Sequence, residues 1–230
     1  MSELIPAYIL HSRKYGDSSA ILDCFTQTQG RVGVIAKGGL ADKKRQSLIQ
    51  PFIPLLINWR GKGELPTLTH VEAADNGFRL QGKHLYCGIY INELLTYLTA
   101  KHDPSLNLFA EYCLALEELS ACSDMDQILR RFEVQLLKLT GNIGSFDRQH
   151  DGEAVEQGQR YQYRKGFGIN QVMDKSPSSV TGQVLIALER HALVDENLKK
   201  QAKHFMRHVL AQHLGGRTLK SRELFQEVVK

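Results

Sequence analysis

Basic side chains are grouped in this sequence in a way that suggests a function, and that function is the binding of a polyanion. Residues 31–62 contain seven Lys and Arg residues against a single acid, Asp42. The seven are Arg31, Lys37, Lys43, Lys44, Arg45, Arg60 and Lys62. A basic cluster beside an aromatic such as Trp59 is typical of proteins that bind single strands. The alternative is a solvated loop beside a core tryptophan, and this pattern alone leaves both open.

The net charge of +4 hides an uneven distribution of charge along the chain. Residues 1–80 carry 10 basic and 7 acidic groups, and residues 81–198 carry 11 and 16. Residues 199–230 carry 8 basic groups against 2 acidic ones, and they include Lys220 and Arg222. The two basic ends of the chain therefore predict a surface for a polyanion better than the net charge does.

Catalytic interpretations find little support in the residues. The phosphate-binding loop of ATPases and the G-x-S-x-G motif of serine hydrolases are both absent from the sequence. No carboxylate cluster typical of a metal nuclease accompanies a lysine on a predicted strand. His204, His208 and His213 suggest a zinc site, since His204 and His208 share a helical face at i and i+4, but they adjoin Lys203 and Arg207, which would repel a divalent cation. We expect no enzyme activity and no cofactor.

The first part of the chain, which contains the seven basic residues, is predicted to form a barrel. Five segments rich in β-branched and aromatic residues, bounded by Gly, Pro, Asp or Ser, predict strands at residues 7–12, 19–26, 30–38, 50–61 and 65–73. Five strands is the count of an OB-fold. Alternation places Arg31 and Lys37 on one face of the third strand, and the Lys43–Arg45 segment is interpreted as a loop. We expect this barrel to occupy residues 1–76.

Helical spacing replaces strand spacing after residue 77. Apolar residues recur at steps of three and four within residues 80–100, 105–120, 126–139 and 197–214. Between them, YQYRKGFGI at residues 161–169 alternates around a Lys165-Gly166 turn and predicts a small hairpin. Ser221 is the predicted N-cap of a last helix. The expected class is α+β: an OB-fold barrel followed by a helical domain, residues 77–230, with a hairpin insertion at about 141–170.

Cysteines and apolar runs indicate the environment of the chain. Cys24, Cys87, Cys113 and Cys122 form no C-x-x-C pair and lie in apolar stretches, so we expect buried thiols. No apolar run reaches the roughly 18 residues that a membrane helix needs. The sequence predicts a cytoplasmic protein without a membrane partner.

The order of the motifs resembles the RecO family of bacterial recombination mediator proteins, which act in DNA repair. The segments that carry the resemblance are AYILHSR, LDCFTQTQGRVGVIAKGG, LIQPFIPLL, YINELL, LRRFEVQLL, TGQVLIAL and HLGGRTLKSREL, in this order. They extend from about residue 7 to residue 226. The glycine-lysine turn after the third strand and the terminal GGRTLKSRELF are the most specific of them.

The resemblance implies a DNA-binding mediator without catalysis. Proteins of this family bind single- and double-stranded DNA and anneal complementary strands. They also contact the acidic C-terminal tail of the single-stranded-DNA-binding protein, and with RecR they help RecA load onto coated strands. For this chain the resemblance implies nucleoid association when it is bound to DNA.

Site residues follow from combining the resemblance with the residue types. We expect DNA contacts at the seven basic residues above and at Lys220 and Arg222. For the acidic tail we expect a pocket formed by four residues of the LRRFE segment and its continuation: Arg130, Arg131, Phe132 and Leu136. The alternative is that these arginines pair with Glu133 or Glu117.

The hairpin insertion occupies the place of a four-cysteine zinc motif in many members of this family. Residues 141–170 contain no cysteine, so a tetrahedral thiolate site cannot form there. We expect a metal-free insertion held together by Tyr161, Tyr163, Phe167 and Ile169. The alternatives to the mediator interpretation are an OB-fold adaptor that binds protein and an RNA-binding OB-fold protein.

Overall fold

In a computed structural model, five strands at the start of the chain close into a barrel in the order β1-β2-β3-β5-β4. The strands are β1 (Ile5–Tyr15), β2 (Ser19–Thr26), β3 (Gly30–Ala36), β4 (Leu55–Arg60) and β5 (Thr67–Ala73). The structure describes residues 3–61, 63–121, 124–173 and 176–227. It divides the chain into two compact units, Met1–Ala121 and Cys122–Lys230. The predicted α+β class, a five-stranded barrel followed by helices, is confirmed.

Alternating residues of the strands fill the barrel. Ala20, Leu22 and Cys24 of β2 point inward and are almost completely buried. β3 does the same with Val32 and Val34, as its period of two predicts. The barrel core therefore consists of the apolar residues that alternate with outward-facing ones along each predicted strand.

Two details between β3 and β5 differ from the prediction. The basic segment is not a loop but a short helix, α1 (Lys43–Leu48), because the Asp42 side chain accepts a hydrogen bond from the Lys44 N–H at 2.9 Å and caps it. The fourth strand starts at Leu55 rather than near residue 50. Pro51 and Pro54 precede it, and proline lacks the N–H that a strand ladder requires.

An aromatic cluster joins the barrel to the next two helices, α2 (Gly82–Leu98) and α3 (Leu106–Ser120). The Tyr8 ring lies 5.8 Å from Phe109 and 5.2 Å from Tyr112, and Phe25 lies 5.5 Å from Phe109. Asn92 of α2 donates to the Leu10 carbonyl at 3.1 Å and accepts from the Tyr112 hydroxyl at 2.8 Å. The first compact unit therefore extends beyond the predicted boundary at 76/77, because these helices pack on the barrel.

Gly30 begins β3 at a point where another chain segment crosses the barrel closely. Its φ is +65°, and a Cβ built on it would lie 2.5 Å from the Asp103 carbonyl oxygen. The crossing segment is hydrogen-bonded at the same place, since the His102 N–H donates to the Arg31 carbonyl at 3.0 Å. Glycine is needed here for both its backbone conformation and its lack of a side chain.

Gly30→Ala is therefore expected to lower the free energy of unfolding by about 2–4 kcal/mol, because it adds a steric clash to the strain of a positive φ. Gly16→Ala is the matched control. Gly16 has a φ of +63° but open space around it, so it carries the strain alone, at about 1 kcal/mol. Urea unfolding of both variants measures the difference, and equal losses would show that the crossing segment does not constrain Gly30.

The second unit combines helices with a small sheet. Its helices are α4 (Met125–Leu139), α5 (Gly182–Glu189), α6 (Glu196–His213) and α7 (Ser221–Glu227). Its strands β6 (Arg160–Arg164), β7 (Gly168–Gln171) and β8 (Ser179–Thr181) pair in the order β7-β6-β8. Phe132 of α4 and Phe205 of α6 are fully buried in this unit. None of the helices described in either unit has the length and apolar character required to span a membrane.

The β6–β7 hairpin forms where the sequence predicts it, but the prediction that four residues pack inside it is wrong for one of them. Tyr161, Tyr163 and Ile169 are buried, whereas Phe167 is 60% exposed. Phe167 lies in the turn between β6 and β7 and therefore outside the alternation that turns the other three inward. Among the described residues, no group of three or more His, Cys, Asp or Glu side chains is placed to hold a metal ion. Zinc analysis remains the test of a metal-free insertion.

The cysteines show the burial expected of small apolar residues. Cys24 and Cys87 are buried, Cys113 is half-buried, and all three are free thiols. Burial raises the pKa of the Cys24 thiol well above its usual value. Cys122 lies outside the described residues.

Candidate nucleic-acid interface

Three exposed lysines, Lys37, Lys43 and Lys44, lie where β3 leads into α1, and we call them the cationic rim. The one acid of this segment, Asp42, is engaged as the cap of α1. It caps the helix through one carboxylate oxygen and does not form a salt bridge with the rim among the described residues. The rim therefore presents lysine ammonium groups to solvent.

Arg45 holds α1 against the barrel. Its guanidinium donates to the Leu68 carbonyl of β5 at 3.1 Å and to the Lys37 carbonyl at 3.5 Å. The side chain is half-buried, so its charge reaches the surface while its position is fixed. Arg45 thus positions the rim in addition to any contact of its own with a ligand.

A cavity of about 220 Å³ opens between α1 and β5. Lys44 and Arg45 contribute its basic side next to the capping Asp42, and Thr69 and His70 of β5 contribute its polar side. His70 lies 3.1 Å from Glu72, its neighbour but one on the same strand. The concave surface beside the rim is large enough for a few atoms of a ligand, and its basic side suits an anionic group.

Strand register brings two arginines onto one row of the barrel's outer surface. Arg13 pairs with Ile21, Ile21 with Ile35, Ile35 with Thr67, and Thr67 with Arg60. Paired residues share a face, and neighbouring strands lie about 4.8 Å apart, so the two arginines are separated by roughly 20 Å along the surface. Both are exposed, and half-buried Ile21 and Ile35 lie between them. We call these five residues the barrel row.

Arg13 was missed by sequence reasoning. β1 continues to Tyr15, whereas the sequence predicts a strand that ends at residue 12. The run Ser12-Arg13-Lys14-Tyr15 alternates in polarity too weakly to mark a strand, so only the pairing with β2 shows it. Lys101 was also missed; its Nζ lies 3.9 Å from a Cβ built on Gly33, on the same outer surface.

Arg31 does not lie with the rim. Its guanidinium pairs with Asp23 at 2.8 Å and donates to the Thr99 carbonyl at 3.1 Å. Its side chain is only 12% exposed. The expectation that Arg31 shares a solvent face with Lys37 therefore needs correction, because Arg31 fastens β3 to the segment that follows α2.

The aromatic partner of the basic residues also differs from the expectation. Trp59 packs against the barrel core and is partly buried. It pairs with inward-pointing Leu68, which places it on the inner side of the ladder. Tyr15, at the end of β1, is 55% exposed and is the large aromatic that the barrel offers to solvent. Lys62 lies outside the described residues.

The terminal basic residues belong to the second unit. Lys220 is exposed and Arg222 is half-buried, while Ser221 between them is buried. Arg222 lies in α7, whose first turn includes a hydrogen bond from the Arg222 N–H to the Leu219 carbonyl at 3.2 Å. The structure thus leaves Lys220 as the more accessible of the two.

The predicted pocket for an acidic tail is not formed on the surface. Phe132 and Leu136 are completely buried, and Arg130 is buried with its guanidinium bonded to the Glu133 carboxylate three residues later. Arg131 is half-buried. The prediction for these four residues therefore needs correction: the apolar pair is core, and Arg130 follows the alternative in which it pairs with Glu133.

The three histidines of α6 have separate protein partners. The His204 ring lies 2.9 Å from the Pro177 carbonyl, and the His208 ring lies 2.9 Å from the Gln212 amide. His213 lies 2.7 Å from the Tyr163 hydroxyl. Burial lowers the pKa of His208 and His213, which favours their neutral forms as hydrogen-bond partners.

These features define a class of protein: an OB-type barrel with an exposed basic surface, joined to a helical unit. A family model described as recombination protein O N terminal matches residues 1–76, and one described as recombination protein O C terminal matches residues 79–223. The chain therefore belongs to the recombination protein O (RecO) family.

Curated relatives match nearly the whole chain. The DNA repair protein RecO of Methylococcus capsulatus is 43% identical over 96% of this chain and 91% of its own length. That of Nitrosococcus oceani is 42% identical over 98% and 93%. That of Halorhodospira halophila is 37% identical over 97% and 96%.

Proposed function

We propose that this protein is a non-enzymatic recombination mediator in DNA repair. It binds single- and double-stranded DNA, anneals complementary strands, and acts in the cytoplasm in association with the nucleoid. Family membership supports the general role in repair, because the curated relatives are DNA repair proteins. The basic surface of the barrel supports the DNA contacts.

The observation that carries the proposal is the imbalance of charge at the barrel surface. The rim lysines are exposed, and Arg13 and Arg60 stand at the two ends of the barrel row. Asp42 and Asp23 have structural roles, since Asp42 caps α1 and Asp23 pairs with Arg31. Asp17 and Glu64 are exposed acids, each four residues from an arginine of the row, and residues 1–80 still carry 10 basic groups against 7 acidic ones. An excess of cations over acids on one barrel is what a phosphate backbone requires.

Annealing follows from the same surface without a catalytic residue. Two complementary strands repel each other because each carries one negative charge per phosphate. A protein that neutralises phosphates on both strands lowers this repulsion and increases their local concentration. The half-buried isoleucines between Arg13 and Arg60 offer an apolar floor against which bases can lie.

The partners of this function are proposed from the family. With RecR, the protein helps RecA load onto DNA that is coated by the single-stranded-DNA-binding protein, and it captures the acidic tail of that protein. Because Phe132 and Leu136 are core residues, the tail is expected to dock elsewhere than on this pair.

Annealing of labelled complementary oligonucleotides, bare or coated with the single-stranded-DNA-binding protein, tests the proposal. We expect this protein to accelerate annealing of both, and to lose the effect on coated strands when the coating protein lacks its last residues. No acceleration, together with flat anisotropy of labelled oligo-dT at low salt, would favour the protein-binding adaptor. Preference for oligo-U over oligo-dT would favour an RNA-binding protein. Incubation with Mg²⁺ is expected to leave the DNA uncut.

A further inference from the structure

The turn of the β6–β7 hairpin presents a phenylalanine and two cations to solvent. Arg164, Lys165, Gly166 and Phe167 are all exposed, and we call residues 164–167 the hairpin tip. The Phe167 N–H donates to the Arg164 carbonyl at 3.0 Å and closes the turn. Gly166, with a φ of +82°, takes the left-handed conformation that the turn requires.

Phe167 is unusual among the aromatic residues of this unit. Tyr161 and Tyr163 on the same hairpin are completely or almost completely buried, whereas Phe167 is 60% exposed. Its ring meets the His150 ring at 6.2 Å and 63°, an edge-to-face contact. A contact of this kind steadies a ring while leaving ring surface open, which is the arrangement of a stacking platform.

The chain segments on either side of the tip carry no acid, although Asp151 follows His150, whose ring contacts Phe167. Residues 157–173 contain no Asp or Glu, and neither do residues 197–222, which include most of α6. Within the described residues, neither Arg164 nor Lys165 has an acidic partner in salt-bridge distance. Arg160, in contrast, is engaged by Ser179 through its hydroxyl and its carbonyl. The two tip cations are thus available to an anion.

Gln212 of α6 fixes the tip in place. Its side-chain oxygen accepts from the Lys165 N–H at 2.8 Å, and its amide donates to the Tyr163 carbonyl at 3.3 Å. The hairpin is therefore anchored to a helix of the same unit on both sides of Arg164. A platform held in this way loses little conformational entropy when it binds a ligand.

We infer that the hairpin tip is a second contact for single-stranded DNA, with one base stacked on Phe167 and the adjoining phosphates held by Arg164 and Lys165. The inference rests on the proposed function and adds to it a site outside the barrel. A single strand fits better than a duplex because its bases are free to stack on an aromatic ring. Two cations beside that ring supply the phosphate contacts that stacking alone lacks.

Binding of labelled oligo-dT to the full chain, measured by anisotropy over a range of salt concentrations, tests the inference. Phe167→Ala is expected to weaken binding about five- to tenfold with an unchanged salt slope, because it removes stacking but no charge. Phe167→Trp is expected to retain binding. Met173→Ala is the matched control, since Met173 is an apolar residue of the same unit, six residues after Phe167 and 94% exposed, and it is expected to bind as the parent does.

The contribution of Arg164 and Lys165 is measured separately, by the salt dependence of binding. Arg164→Ala with Lys165→Ala is expected to reduce the log-log salt slope by about 1.4, since each phosphate contact on a single strand contributes about 0.7. Normal binding by Phe167→Ala and by this double variant, with loss of binding on the rim variants, would overturn the inference and leave the proposed function intact. The inference would also be overturned if Phe167→Ala and the double variant lost binding to duplex DNA but kept normal binding to oligo-dT. An absence of oligo-dT binding in the parent protein would instead overturn the proposed function.

Discussion

Replacing Lys37, Lys43 and Lys44 together by alanine is expected to weaken binding of single-stranded oligo-dT by about tenfold to one hundredfold at low salt. The three lysines form the exposed cationic rim beside α1. Each phosphate contact contributes about 0.7 to the log-log salt slope on a single strand, so the triple variant is expected to lose about 2 from that slope. Salt-dependent anisotropy measures both quantities, and strand annealing is expected to slow in parallel.

Arg45 is left intact in this experiment for a structural reason. Its guanidinium donates to the Lys37 carbonyl, just after β3, and to the Leu68 carbonyl of β5. Removing the Arg45 side chain would therefore displace the rim as well as delete a charge. The matched control replaces Arg79, Lys83 and Lys200 by alanine, three exposed residues outside the rim and the row. This control loses the same net charge. An equal loss of binding in both triple variants would show that net charge, rather than the rim, governs affinity.

Glu133→Ala is expected to be the most destabilising single substitution proposed for the second unit. Glu133 is 1% exposed and Arg130 is 4% exposed, and the two side chains are bonded to each other within α4. Removing the carboxylate breaks a buried ion pair, a change that costs about 3–5 kcal/mol. Thermal unfolding is expected to shift downward by about 10 °C or more.

Two further variants separate burial from simple charge pairing. Glu196→Ala breaks a pair with Lys199 at the same three-residue spacing, in which Glu196 is 88% exposed and Lys199 keeps Asp124 as a second partner, and it is expected to leave the unfolding temperature nearly unchanged. Arg130→Met with Glu133→Leu replaces the buried pair by apolar side chains and is expected to recover much of the lost stability. A Glu133→Ala protein as stable as the parent would remove the structural role of Arg130 and restore it as a candidate for binding the acidic tail.

The strands and helices are the part of this fold that local patterns determine. Ala20, Leu22 and Cys24 point into the barrel because alternation along β2 permits only one face to be buried. The helices α2 to α4 begin and end within a few residues of the predicted bounds, since their apolar spacing has the helical period. The insertion at residues 141–170 likewise contains its predicted hairpin, because Gly166 marks the turn between two alternating segments.

Pairing partners are the part that the local pattern leaves open. Arg31 of β3 and Lys37, the residue after that strand, have the same parity, yet Arg31 is tied to Asp23 and to the Thr99 carbonyl while Lys37 is exposed. Phe132 and Phe167 are both aromatic residues beside basic ones, yet the first is core and the second is a surface residue. The difference depends on which distant segment covers each position, and residue type does not encode that.

Residue types and their order were sufficient to predict the family, the barrel, the helices and the concentration of basic residues near the two ends of the chain. Each of these rests on residue type, order or short-range period, which are readable without coordinates. Which of the basic residues are available to a ligand depends, in contrast, on the folded arrangement of the chain. Strand register aligns Arg13 with Arg60 on the barrel surface. Arg31 and Arg130 form ion pairs with Asp23 and Glu133. Arg164 and Lys165 lie beside Phe167, which is exposed. Availability depends on contacts between residues far apart in the chain, and these contacts form only when the chain folds.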